Sequence, residues 1–259
     1  MATYQKVVAG KAAGVLTLTL SVPERRNAIG PQMVGELLHA LRGALSDAEV
    51  RVVVVTGAGK AFCAGGDFQQ MTGESQVEGG VPPGDYADLL RELMRYEKPI
   101  VAKVNGHAMG GGLGIVAASH FAIASTDAKL GTPEIDVGLF PFMIMAVLAR
   151  TMPRRALLEM MLLGQKMSAD EAHVAGIVSR VVTPESLDAQ VGALCHDLAE
   201  RAPLAIKLGL RAWAAQGDLA LDEALPMLRA KLGEALGTDD AREGLMAFLE
   251  KRKPKWSGK

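Results

Sequence analysis

Two clusters of glycine, each just behind an apolar run, constrain this chain more than any other feature. Gly57, Gly59, Gly65 and Gly66 follow Val52-Val53-Val54-Val55, and Gly106, Gly110, Gly111, Gly112 and Gly114 follow Ile100-Val101-Ala102-Lys103-Val104. An apolar run without polar alternation is the pattern of a strand buried on both faces, which belongs to parallel sheets covered by helices. Glycine costs chain entropy and clusters where backbone must turn sharply or approach another group closely. The chain carries 29 glycines in 259 residues, about 11% against roughly 7% in an average globular protein. The densest groups sit at those two strand exits, and function is sought there.

The surrounding pattern predicts α/β architecture. Val15–Leu20 reads as a strand that Val22-Pro23 interrupts, and Val34, Leu37, Leu38, Leu41 and Leu45 recur at helical spacing behind Pro31. Thr72–Gly84, rich in glycine and proline, reads as a surface loop. Helices are predicted over Asp85–Tyr96, Leu113–Ser119, Phe142–Arg150, Arg154–Leu163 and Ala169–Ala175, and further strands over Phe121–Ala124 and Ile177–Val182. From Pro184 onward only helical segments are expected: Val191–Arg201, Pro203–Ala215, Leu221–Leu236 and Asp239–Lys251. The composition shift divides the chain into a core over residues 1–200 and a helical lobe over 201–259, too short for comfortable autonomy.

Several function classes fall away on composition. With 28 basic and 29 acidic residues, the chain has no bulk positive field for nucleic acid or an anionic bilayer. Cys63 and Cys195 are too few for a disulfide framework and read as reduced thiols. The first residues lack a basic head followed by an apolar stretch, and the oiliest run, Val137–Ala149, contains Pro141 and falls short of the roughly 20 residues a spanning helix needs. A cytoplasmic enzyme is expected. No GxGxxG opens a helix after a strand, Gly57-Ala58-Gly59-Lys60 lacks P-loop spacing, no GxSxG elbow occurs, and the five histidines have no metal-ligand spacing.

What remains is two glycine turns and a carboxylate. Ala61-Phe62-Cys63-Ala64-Gly65-Gly66-Asp67 follows one buried strand, and Asn105–Gly112 follows another and precedes a helix. Each can leave a backbone N–H unpaired, and the second gains the positive end of a helix. Two converging N–H groups are what a developing oxyanion requires. Either turn taken alone is more simply an ordinary tight turn.

The residues in these segments carry a resemblance. Pro23-Glu24-Arg25-Arg26-Asn27-Ala28, Gly57 through Asp67, Lys98 through Gly106 with the Gly110–Gly112 triplet, Pro133-Glu134, and Glu243 through Arg252 together resemble the enoyl-CoA hydratase/isomerase family, the crotonases, in order and over nearly the whole chain. The resemblance implies a spiral of ββα units with a carboxy-terminal helical oligomerisation lobe, assembled as a homotrimer or a dimer of trimers. It implies an oxyanion hole from the N–H groups of Gly66 and Gly111, in which losing one donor would cost roughly 3 kcal/mol of transition-state stabilisation. It also implies no resident cofactor, since coenzyme A arrives as part of the thioester substrate.

At the acid/base positions the sequence departs from the two-glutamate hydratases. One family glutamate corresponds to Gly114, which has no proton to give; the other corresponds to Glu134, the single acid/base that survives. Asp136 is a conceivable substitute, because in an extended segment it would face the same side as Glu134, but a solvated Asp136 is the simpler reading, since nothing in the spacing fixes convergence. Asp67 is given a supporting role in the turn. Met109 and Phe140 are the expected acyl-pocket residues, suited to broad apolar contact, while Met143 and Met145 are equally well explained as helix packing. Similarity assigns Ala28, Ala64 and Gly66 to the coenzyme A end of the substrate, and Phe248 and Lys251 to coenzyme A bound by a neighbouring subunit, with Lys251 near a phosphate. Cys63 and the histidines are read as structural.

Three functions stay open at this point. One is hydration of an enoyl-CoA through an oxyanion-stabilised enolate with Glu134 alone. The second is Δ3,Δ2-enoyl-CoA isomerisation, for which one carboxylate suffices. The third is non-catalytic acyl-CoA binding on the same scaffold.

Overall fold

The computed structural model describes residues 4–67 and 80–259. A hairpin opens the chain: β1 (Val7–Ala12) and β2 (Val15–Leu20) pair antiparallel, Val7 opposite Leu20. Ala13 and Gly14 both take positive φ, 49° and 77°, the turn chemistry that matches the right-handed twist of the strands. Helix α1 (Pro31–Ser46) then crosses to β3 (Val52–Gly57), which lies parallel to β2.

Beyond β3 the large sheet continues with β5 (Ile100–Val104), β7 (Phe121–Ser125) and β10 (Arg180–Val182), all parallel, in the order β1-β2-β3-β5-β7-β10. The valine run is buried on both faces, as its composition requires. Val53 and Val55 join the main core with α1, while Val52 and Val54 pack with Leu187, Val191 and Cys195 of α7 (Pro184–Ala199).

β3, β5 and β7 are each followed within a few residues by a short strand, and the short ones belong to a second sheet. β4 (Ala61–Cys63), β6 (His107–Met109) and β8 (Lys129–Gly131) run parallel, and β9 (Lys166–Ser168) closes the sheet antiparallel. The corner after β5 has no room for a side chain: a Cβ on Gly106 would run into the backbone of Lys60.

Helices α2 (Tyr86–Met94) and α3 (Gly111–Ala118) pack on each other, with α4 (Phe142–Leu148) against both; α5 (Arg154–Leu163) and α6 (Ala169–Val174) follow. At the carboxy end, α8 (Pro203–Gln216), α9 (Leu221–Leu236) and α10 (Asp239–Leu249) pack on one another. That region leaves Trp213, Leu221, Leu232, Leu236, Phe248 and Leu249 exposed, an apolar surface of the kind that marks an interaction face. No helix among the described residues is long and apolar enough to cross a membrane.

The differences from the sequence expectations have local causes. α7 starts at Pro184, with proline at its first turn, not at Val191, and α3 starts at Gly111, two residues ahead of Leu113. The last strand is confined to Arg180–Val182. Positions 72–79 of the expected Thr72–Gly84 loop lie outside the described residues.

Candidate active site

Asn27 holds the first glycine turn in place. It is fully buried, and its Nδ2 donates to the carbonyls of Ala58 (2.9 Å), Ala61 (2.9 Å) and Phe62 (3.3 Å) while Oδ1 accepts from Val22 N–H (3.0 Å). Two residues on, Ile29 forms a parallel bridge with Gly66: Ile29 N–H donates to Gly65 O and Ile29 O accepts from Asp67 N–H, both at 2.8 Å. The N–H of Gly66 is thereby turned away from Ile29 and meets no acceptor among the described residues. Arg25 Nη2 bonds the buried Asp67 carboxylate at 2.8 Å, consistent with a supporting role for Asp67 in the turn.

The second turn is set by the start of α3. Gly110 caps this helix at φ 48°, a conformation that favours glycine, with its N–H donating to Gly131 O (2.9 Å) and its carbonyl accepting from Gly114 N–H (3.1 Å). With the Gly110 carbonyl committed to the helix, the Gly111 N–H on the same peptide points the other way, as one of the orphan donors at a helix N-terminus. The two turns touch: a Cβ on Gly65 would stand 3.5 Å from Met109 O, and one on Gly112 would collide with Cys63 Cβ at 2.6 Å. Both Gly66 and Gly111 are partly exposed between buried neighbours, and both border one cavity of about 650 Å³.

Glu134 reaches the same cavity from a 3-10 turn over Pro133–Val137. Its Oε1 lies against Gly110, where a Cβ would approach to 2.6 Å, and its Oε2 is buried with no hydrogen-bond partner. Burial raises its pKa above the ordinary glutamate value, the direction that favours proton exchange nearer neutrality. The remaining wall is mainly apolar, with Ile29, Pro31, Val34, Phe140, Phe142 and Ile144 among its residues. Asp85 also borders it, but this exposed carboxylate caps α2, accepting from Ala87 N–H (2.7 Å) and Asp88 N–H (3.3 Å).

The structure thus brings Gly66, Gly111, Glu134 and Phe140 together. Met109 is not among the cavity-lining residues: it is buried in β6 beside the first turn. Asp136 does not join Glu134 either. The segment is a 3-10 turn, not extended, and Asp136 Oδ1 lies 2.9 Å from where a Cβ of Gly164 would stand, at the end of α5. Ala28 and Ala64 flank the Ile29–Gly66 bridge, partly exposed, with Ala64 N–H on Arg26 O at 2.9 Å. Phe248 and Lys251 are exposed at the end of α10 and do not line this cavity.

Burial pushes the Cys63 thiol up to about 11, which keeps it protonated and unreactive. His120 Nδ1 accepts from Ile100 N–H, and burial lowers that ring to about 4. Tyr86 escaped the sequence reading. It lines the cavity and its hydroxyl donates to Gly111 O at 2.5 Å, but a tyrosine in the first turn of a helix carries no sign of a partner 25 positions away.

Comparison with known proteins converges on one family. The enoyl-CoA hydratase/isomerase family model matches residues 10–259. The chain is 33% identical over 246 residues to (E)-benzylidenesuccinyl-CoA hydratase of Thauera aromatica, covering 94% of this chain and 96% of that protein. It is 32% identical over 249 residues to short-chain-enoyl-CoA hydratase of Clostridium acetobutylicum, covering 95% of each. Among solved structures, the enoyl-CoA hydratase crystal structure from Mycobacterium smegmatis superposes with a TM-score of 0.89 at 31% identity, covering 97% of this chain and 99% of that one.

Proposed function

The chain belongs to the enoyl-CoA hydratase/isomerase family, and from that premise we propose that it hydrates an enoyl-CoA with Glu134 as its only acid/base. The observation that carries this reading is the lone desolvated carboxyl of Glu134 on the wall that also presents Gly66 and Gly111. The thioester oxygen accepts from both N–H groups. Glu134 takes a proton from water as the hydroxyl adds to C3, negative charge moves through C2 to the thioester oxygen, and Glu134 returns the proton to C2. Charge develops on the oxygen where fixed donors stand ready, which is where such donors lower a barrier most. The apolar wall suits an apolar acyl group.

One observation favours a second reading. The other carboxylate on the wall, Asp85, is occupied in capping α2, and Δ3,Δ2-isomerisation needs only one. Glu134 would take a proton from C2 of a 3-enoyl-CoA and return it to C4 of the dienolate. Incubation with 2-enoyl-CoA and 3-enoyl-CoA in 18O-labelled water separates the two. Labelled hydroxyl without double-bond migration establishes hydration, and migration without label establishes isomerisation.

The same proposal places Ala28, Ala64 and Gly66 at the coenzyme A end of the substrate. It assigns the region from residue 201 onward to trimer contacts, and brings Phe248 and Lys251 to the coenzyme A of a neighbouring subunit. The exposed apolar residues of α8–α10 and the cationic run Lys251-Arg252-Lys253 just beyond α10 support it. Size measurement in solution, with Phe248→Ala as the perturbing variant, tests the assembly.

A further inference from the structure

Beside Glu134 and the capping residue Asp85, Tyr86 places a polar side-chain group on the cavity wall. Its position is built by backbone. Gly84 N–H donates to Pro31 O at 2.8 Å, and bare Gly35 on α1 admits the 82–84 backbone so closely that a Cβ there would stand 3.0 Å from Pro82 C and 3.1 Å from Gly84 N. Asp85 then caps α2, which leaves Tyr86 at the first helical position with its ring over the start of α3. Its hydroxyl donates to Gly111 O at 2.5 Å. A Cβ on Gly111 would lie 3.5 Å from Cζ and Oη of Tyr86, and one on Gly114 would collide with the same hydroxyl and with Ile144 Cγ2 at 2.5 Å. The phenol therefore spans the first turn of α3 from 111 to 114 and fills the space a side chain at 114 would need.

Burial, with a smaller contribution from nearby Cys63 and Glu134, holds this phenol well above its ordinary value of 10. It keeps its proton across the neutral range, so it is a standing donor and not a base.

We propose that Tyr86 is a positioning residue for the Gly111 N–H: its hydroxyl ties down the Gly111 carbonyl while its ring closes the space above Gly114, leaving Glu134 as the one proton carrier in the cavity. This rests on the enolate reading above and deepens it. The Gly110 carbonyl on the donor's own peptide is held by Gly114 N–H, but glycine at 111 has no Cβ to limit the torsions that join this peptide to the next. A donor that must already be aimed when charge develops therefore gains from a second brace on the Gly111 carbonyl. The Tyr86 hydroxyl supplies one.

Tyr86→Phe keeps the ring and removes the bond. The expected result is a kcat about three- to tenfold lower, the range set by one hydrogen bond. KM, the affinity for a saturated acyl-CoA measured by calorimetry, and the melting temperature should stay close to the parent's. A merely structural tyrosine would instead lower melting temperature and activity together. An unchanged kcat, or a loss that only tracks lost stability, overturns the proposal. Gly114→Ala tests the packing: it should lower the melting temperature, and Tyr86→Phe in the same chain should restore part of the loss by removing the colliding oxygen. A harmless Gly114→Ala overturns the space-filling half. Glu134→Gln is run beside these. If it turns over like the parent, the enolate reading fails; if it is inactive while Tyr86→Phe is fully active, only the role of Tyr86 fails.

Discussion

Glu134→Gln changes one atom and one proton, and the site's geometry gives it two opposite consequences. The side chain keeps its length and polarity but cannot accept a proton. If Glu134 is the acid/base, kcat should fall about 10²- to 10⁴-fold, equivalent to about 3–5 kcal/mol of barrier, with little change in affinity for a saturated acyl-CoA. Stability should move the other way. In the parent, Oε2 is buried without a partner and burial raises the group's pKa above 4.5. Below 4.5 the folded and unfolded chains both hold the proton. As pH rises through the raised folded value, the folded protein must ionise a desolvated carboxyl that the unfolded chain hydrates freely, and stability is lost. A buried polar atom left unpaired costs about 1–3 kcal/mol. Glu134 faces an open cavity, and allowing for solvent screening the net penalty is about 0.5–1.5 kcal/mol. In a chain of this size each kcal/mol moves the melting temperature by about 2–4 °C. Calorimetry at pH 4 and pH 8 should therefore show the glutamine variant gaining a few degrees at pH 8 and little at pH 4. Full turnover in the folded variant would refute the catalytic assignment, and a lower melting temperature at pH 8 would refute the desolvation argument.

Three other substitutions probe separate parts of the arrangement. Gly112→Ala places a Cβ 2.6 Å from Cys63 Cβ and 2.8 Å from Cys63 O. The overpacking should destabilise by about 1–3 kcal/mol and lower kcat by displacing α3 from β4; urea titration and steady-state kinetics check both. Asn27→Ala leaves the carbonyls of Ala58, Ala61 and Phe62 and the Val22 N–H without their shared partner, at a position with φ 57°. A loss of about 3–5 kcal/mol is expected, and a loss below about 1 kcal/mol would show that water replaces the side chain. Lys251→Ala should raise KM for acyl-CoA about tenfold while leaving kcat within a factor of two, as for removal of one charged hydrogen bond; an equal fall in kcat would place Lys251 closer to the chemistry.

The parts of this fold that could be read from sequence are those with enough residues to display a period. Pro31–Ser46 and Arg154–Leu163 carry repeated helical spacing, and Val52–Val55 carries an unbroken apolar run. Strands of three residues, such as Ala61–Cys63, His107–Met109, Lys129–Gly131 and Lys166–Ser168, cannot display alternation, and the second sheet was invisible for that reason. The conceivable pairing of Asp136 with Glu134 gives way on the same scale to the solvated Asp136 that is the simpler reading, and the residue is exposed. Pro133 at the first turn and Gly138 at φ 74° close a 3-10 turn where the pairing would need an extended segment, and a turn does not put residues two apart on one face. Glu134 was found through a motif. Tyr86 has no motif, because what makes it matter is the approach of α1, α2 and α3 in space.

The second sheet is also what assembles the candidate site. Its three parallel neighbours β4, β6 and β8 lie side by side, with Cys63 opposite Ala108 and Met109 opposite Gly131. Residues that leave adjacent parallel strands at their carboxyl ends emerge together, which is where open parallel sheets place ligands. Ala64–Gly66 leaves β4, Gly110–Gly111 leaves β6, and Thr132–Glu134 leaves β8. The first two exits contribute backbone and the third a side chain, and the residue types follow from that division. Under the proposed mechanism an N–H that must reach the thioester oxygen is best served by a residue without a Cβ, and both exits are glycine. A proton carrier needs a side chain, and Glu134 has space for its carboxyl only because Gly110 opposite it is bare. Glycine at 110 therefore does two things: it turns the chain into α3 at φ 48°, and it makes room for the carboxyl. An alanine at 110 would disturb the helix start and the carboxyl together, so the proposed N–H donor at 111 and the proposed acid/base at 134 are coupled through one missing methyl group.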